Sequence, residues 1–209
     1  VGDDNPLLIN DPRFAPAGVL APKSKSDLAF TMHMLSWLST AGTAAIVEFP
    51  GVLYRGGKEQ IIRKYLIDNN YVDTVIQLPP NLFFGVTIAT CIIVLKKSKR
   101  DNTVLFIDAS KLFVHEGNKN KLSPENIADI VAEYADRKVV PHFSAVVHYN
   151  TIVENGYNLS VSSYVEAEDT RPKTDIKELN ARIARIVEHE NQLRAEIDTI
   201  IRELEEEAL

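Results

Sequence analysis

The sequence predicts an α/β fold followed by a coiled-coil-type helix. Three observations predict it. Helix and strand patterns alternate from Ser26 to Leu78; the apolar strand from Ile88 to Leu95 follows after too few residues for a crossover helix; and residues 174–209 repeat apolar positions in heptads.

Residues 1–26 carry Pro6, Pro12, Pro16 and Pro22 among several Asp and Asn, with no apolar period, so they read as an irregular, functional loop. From Ser26 or Asp27, either of which can cap a helix, Leu28, Met32, Leu35 and Leu38 recur at helical spacing until Gly42. Ala44 to Phe49 reads as a mostly buried strand stopped by Pro50-Gly51, and a buried strand after a helix suggests a parallel sheet. A second helix over 58–69 places Ile61, Ile62, Tyr65 and Leu66 on one stripe, and Val72 to Leu78 forms the next strand. Because so few residues separate it from Ile88, the strand that follows is expected to run antiparallel to its neighbour.

Thr103 to Asp108 adds a strand, and Ser123-Pro124-Glu125 caps a helix running to about Arg137, with proline at its first position. Between His142 and Val165 the pattern gives strand and turn pieces around Asn155-Gly156, and 166–174 reads as a linker. Ile176, Leu179, Ile183, Ile186, Glu190, Leu193, Ile197, Ile200 and Leu204 then alternate at three and four residues, the a/d seam of a coiled coil. Glu190 occupies a core position that can set register, and Val187 and Ile201 widen the stripe. Such a helix wants a partner; the alternative is that it folds back on its own body.

Composition narrows the chemistry. Of the net charge of −6, residues 174–209 hold ten acidic and five basic side chains, which leaves the rest of the 209 residues at −1. Any contact with nucleic acid must therefore use local patches. Cys91 lies alone in an apolar run, which with no secretory leader suggests a reducing cytoplasm, and no run reaches the length of a membrane span. His33, His115, His142, His148 and His189 are scattered without zinc spacing and read as surface or packing residues, so no metal is expected. Neither a phosphate-cradling glycine loop nor a nucleophile elbow occurs, and no catalytic residue is legible in this chain.

The motifs Asn10-Asp11-Pro12-Arg13-Phe14-Ala15-Pro16-Ala17-Gly18, Ser26-Asp27-Leu28-Ala29-Phe30, Gly42-Thr43-Ala44-Ala45-Ile46-Val47, Tyr54-Arg55-Gly56-Gly57-Lys58-Glu59, Ile62-Arg63 and Leu82-Phe83-Phe84-Gly85 together resemble the modification (methyltransferase) subunit of type I DNA restriction-modification systems. The resemblance covers residues 1 to about 100. It implies the second half of a Rossmann-like, S-adenosylmethionine-dependent methyltransferase sheet with a final antiparallel strand. In that family the domain flips adenine out of the duplex and methylates its exocyclic amine with an Asn-Pro-Pro-Tyr/Phe motif, expected just upstream of Val1 and not contained here. Pro79-Pro80-Asn81 has those letters in the wrong order after the wrong strand and reads as a turn.

The resemblance further implies that Phe83, Phe84, Gly85 and Thr87 border the target-base pocket, one phenylalanine packing on the adenine and the other buried in the core. Tyr54, Arg55 and Lys58 would touch DNA phosphate or the pocket rim; the alternative is a solvated loop with Arg55 paired to a carboxylate. Implied partners are double-stranded DNA, the specificity subunit and a second modification subunit, with the restriction subunit as a further candidate, and no membrane. On this reading 1–100 is the carboxyl-terminal half of the methyltransferase domain, 101–173 an α/β extension and linker, and 174–209 the assembly helix. The rivals are a non-catalytic α/β scaffolding protein with an oligomerisation tail and a dehydrogenase-like enzyme, although nothing here suggests hydride chemistry.

Overall fold

A computed structural model describes residues 5–168 and 175–207. The chain forms two compact units, 1–168 and 169–209. Residues 5–26 run through successive turns and send Phe14, Leu20 and Ala21 into the core, in keeping with the expected irregular opening.

Helix α1 (Asp27–Trp37) buries Leu28, Thr31, Met32 and Leu35 on one face. It ends earlier than Gly42, because Leu38 takes an extended conformation while its N–H still bonds back to Met34 and Leu35; Gly42 instead closes a turn onto Ser39. Strand β1 (Thr43–Glu48) alternates between exposed and half-buried residues and is not mostly buried as its composition suggests. The reason is its place at the edge of the sheet. A 3₁₀ turn (Pro50–Leu53) buries Val52 and Leu53 and leads into α2 (Lys58–Asp68), which covers the core with Ile62 and Leu66.

Strands β2 (Val72–Gln77), β3 (Cys91–Lys96), β4 (Thr103–Asp108) and β7 (Ser144–His148) complete a five-stranded sheet of order β1-β3-β2-β4-β7. As expected, β3 runs antiparallel to its neighbours, β1 and β2, so those two point the same way without touching; the parallel pair is β2 with β4. The parallel pairing expected of β1 is thus replaced by an inserted antiparallel strand. β3 starts at Cys91 and not Ile88, since 78–90 form the return loop, where Leu78 N–H donates to the Thr90 carbonyl. β7 adds a second antiparallel edge.

Period-two alternation gives the sheet two apolar faces. Val75, Ile93, Leu95 and Phe106 meet α1 and α2, whereas Ile76, Leu105 and Ile107 meet Ile130 of α3 (Pro124–Asp136). The Ser123 cap forms as expected: its hydroxyl accepts from Asn126 N–H while the Asn126 side chain accepts from Ser123 N–H. A short hairpin, β5 (Val114–Glu116) and β6 (Lys119–Lys121), was not legible in the sequence pattern. The stretch after β7 is a helix, α4 (Tyr149–Glu154), which Asn155-Gly156 terminates. Arg63, a fully buried cation, ties the body together by donating to the Val52 carbonyl at 2.9 Å and the Tyr157 carbonyl at 3.0 Å. The second unit is α5 (Ile176–Glu207), a single helix of 32 residues; the expected linker lies mostly outside the described residues.

Candidate functional site

Strands β1, β2 and β4 share a direction, so Glu48, Gln77 and Asp108 end at one edge of the sheet, where β3 begins with Cys91 opposite both Glu48 and Gln77. Open α/β sheets place ligands at this carboxyl edge. Three segments leave it: 49–57, 78–90, and 109–121 with the hairpin.

At the first segment, Glu48 is buried and accepts a 2.8 Å hydrogen bond from the Thr31 hydroxyl. Burial raises its pKa, the Thr31 bond opposing and the Asp27 charge adding to the shift. Beside it the Cys91 thiol is pushed up to about 12, chiefly by burial and further by the Glu48 charge. Tyr54 is 57% exposed, and Lys58 stands exposed as the first residue of α2. Arg55 folds over Gly51 and pairs with the buried Glu59 at 3.3 Å. A Cβ at Gly51 would collide with the Arg55 guanidinium, so glycine there permits the close approach.

The second segment opens with the Pro79-Pro80-Asn81 turn, where Asn81 adopts φ +58°. Phe83 and Phe84 follow, then Gly85 at φ +73° and an exposed Thr87. Neither phenylalanine is in the core, contrary to the expectation for one of them: Phe83 is 41% exposed and Phe84 99%. The hairpin occupies the space beside the loop, and core packing there is taken by Leu78 and Leu82. An open cavity of about 480 Å³ lies between loop and hairpin, lined by Leu82, Phe83, Phe84, Glu116, Lys119 and Asn120, among others. Gly85 and Thr87 belong to the same loop but not to the lining, and Tyr54 and Arg55 on the loop after β1, with Lys58 at the start of α2, lie outside it.

The hairpin residues were missed by sequence reasoning. Their signal was Gly117-Asn118, a two-residue hairpin connection with positive φ at the glycine. On the separate helical unit, Ile176, Leu179, Ile183, Ile186, Leu193, Ile197, Ile200 and Leu204 are all exposed, and Glu190 stands exposed in the same row. Among the described residues no group of His, Cys, Asp and Glu is placed to hold a metal ion, and no helix is long and apolar enough to cross a membrane.

The model of the N-6 DNA methylase family matches residues 2–173. The type I restriction enzyme MpnII methylase subunit of Mycoplasma pneumoniae is 49% identical over 204 residues, 97% of this chain and 38% of the relative. The MjaVIII methylase subunit of Methanocaldococcus jannaschii is 34% identical over 183 residues, covering 85% of this chain and 32% of that one. Among solved structures, the type I restriction-modification methyltransferase subunit of Streptococcus thermophilus superposes with a TM-score of 0.77 at 42% identity, covering 79% of this chain and 36% of its own. The chain therefore spans about a third of the length of the relatives it matches. With the family model matching residues 2–173 and these relatives in agreement, the chain belongs to the N-6 DNA methylase family, in a portion similar to the methylase subunits of type I restriction enzymes.

Proposed function

We propose that this chain is part of a type I modification methylase whose complete protein transfers a methyl group from S-adenosylmethionine to adenine N6 in double-stranded DNA, and that the 82–87 loop forms a wall of the target-base pocket. One observation carries the proposal: Phe84 stands 99% exposed on a loop at the carboxyl edge of the sheet. Burying a phenylalanine is worth about 1.5–3 kcal/mol, so a fully exposed ring at this edge has that stabilisation available to a ligand that covers it. A flipped base needs such a face to replace its lost stacking.

On this reading the cradle for S-adenosylmethionine belongs to other parts of the complete protein. Glu48, the acid at the end of β1, is buried and engaged by Thr31, and Gly56-Gly57 follows a 3₁₀ turn with open space around both glycines. The consecutive motif Asn-Pro-Pro-Tyr/Phe is absent from the 209 residues. By themselves these residues are therefore expected to be catalytically silent, their part being to hold and border the base. Tyr54 and Lys58 remain candidates for DNA phosphate or the pocket rim, while the pairing of Arg55 with Glu59 favours a positioning role for that guanidinium.

The exposed heptad row of α5 is proposed to pack against helices of the specificity subunit, in an assembly with a second modification subunit and the restriction subunit. The test of the pocket is methyl transfer by the complete protein with its specificity subunit. Phe84→Ala is expected to lower turnover at least tenfold with the unfolding midpoint unchanged, and wild-type turnover in that variant rules the pocket wall out.

A further inference from the structure

Pro79 and Pro80 have no backbone N–H, so the chain leaving β2 at this point cannot continue a strand ladder by donating to it. Its carbonyls need donors from elsewhere. Asn120, 8% exposed on β6, supplies them: its side-chain amide donates to the Pro80 carbonyl at 2.8 Å, and its backbone N–H donates to the Asn81 carbonyl at 3.1 Å. Its neighbour Lys119 donates to the Phe83 carbonyl at 3.3 Å, and that oxygen also accepts from Val86 N–H at 3.2 Å. The same ammonium lies 5.9 Å from the centre of the Phe84 ring. The loop is thus tied to the hairpin at 80–81 and at 83, and Phe84 follows directly on the second tie.

We propose that the β5–β6 hairpin is a clamp that sets the position of the 82–87 loop, with Asn120 its positioning residue and Lys119 a second tether beside the Phe84 ring. The clamp rests on the base-pocket reading. A stacking face is useful only if it is already in place when the base arrives, since ordering it at that moment would cost binding energy. Two features suit the hairpin to the task. Its rim charges Glu116 and Lys121 pair with each other at 3.0 Å, so Lys119 is the cation turned onto the loop. The hairpin also forms its own two-stranded sheet beside the main one, so it can hold the loop without belonging to the core sheet.

The experiment uses the complete methylase with its specificity subunit and compares Asn120→Ala, Asn120→Asp and Phe84→Ala. An aspartate at 120 keeps the shape but cannot donate to Pro80. Both Asn120 variants are expected to raise amide exchange over residues 81–87 at least tenfold, to lower kcat about tenfold with KM for DNA near wild type, and to reduce the fluorescence gain of 2-aminopurine placed at the target adenine. The unfolding midpoint of the body should hold. Lys119→Met, at a partly exposed position, serves as the variant that leaves the buried amide intact and is expected to show the same changes in smaller measure. Wild-type exchange and kcat in the Asn120 variants, beside an impaired Phe84→Ala, overturn the clamp and leave the base pocket standing. A fully active Phe84→Ala overturns the base pocket, and the clamp's role with it.

Discussion

Arg63 shows what one residue does for this body. Its guanidinium is buried and serves two carbonyls from segments far apart in sequence, Val52 after β1 and Tyr157 after α4. Burial lowers its pKa to about 10, with Glu59 opposing the shift. Arg63→Ala would strand both carbonyls, and leaving buried polar groups unpaired costs about 1–3 kcal/mol each. A loss of about 3 kcal/mol or more in chemical denaturation is expected, while Arg63→Lys, unable to span both acceptors with the same planar fork, is expected to recover only part of it. Cys91 gives a second residue-scale prediction. With its thiol held near 12 and buried, it should resist thiol reagents at pH 8 in the folded protein and react fully in denaturant.

At the scale of elements, Glu48 joins the end of β1 to α1 through Thr31. Its folded pKa lies above that of an ordinary carboxyl, so the folded state binds the proton more tightly than the unfolded one. Stability from this group is therefore greatest at acid pH and is lost as pH rises from the ordinary carboxyl range through the raised folded value. Glu48→Gln, which keeps an acceptor for Thr31, should flatten that part of the stability profile and raise stability at neutral pH; thermal unfolding between pH 4 and 8 checks it. The elements also show where sequence reading succeeds. The spacing of Leu28, Met32 and Leu35 and the Ser123-Pro124 start were legible because one helical face is buried in each case. The stop at Trp37 was not, since nothing at Leu38 or Ser39 forbids another turn and tertiary packing decides. The three-residue strands of the hairpin are too short and too polar to show alternation, and only Gly117-Asn118 marked them.

Over the whole molecule, the family and the alternating architecture were legible because short motifs such as Tyr54-Arg55-Gly56-Gly57 and Leu82-Phe83-Phe84-Gly85 are local. The hairpin side of the candidate site was not, because Asn120 reaches Pro80 across 40 residues through one side chain. The heptad row of α5 stands exposed, and its proposed role predicts that deletion of 175–209 abolishes co-purification of the specificity subunit. Retention by the deletion variant would point to a different assembly surface. Strand β1 carries a consequence of another kind. Hydrogen-bonded on one side only among the described residues, and bearing exposed Ala45 and Val47, it offers an open template onto which a second extended segment can add. A preparation of these residues alone should scatter light increasingly with concentration, and Ala45→Lys, a charge set on that open edge, should suppress it.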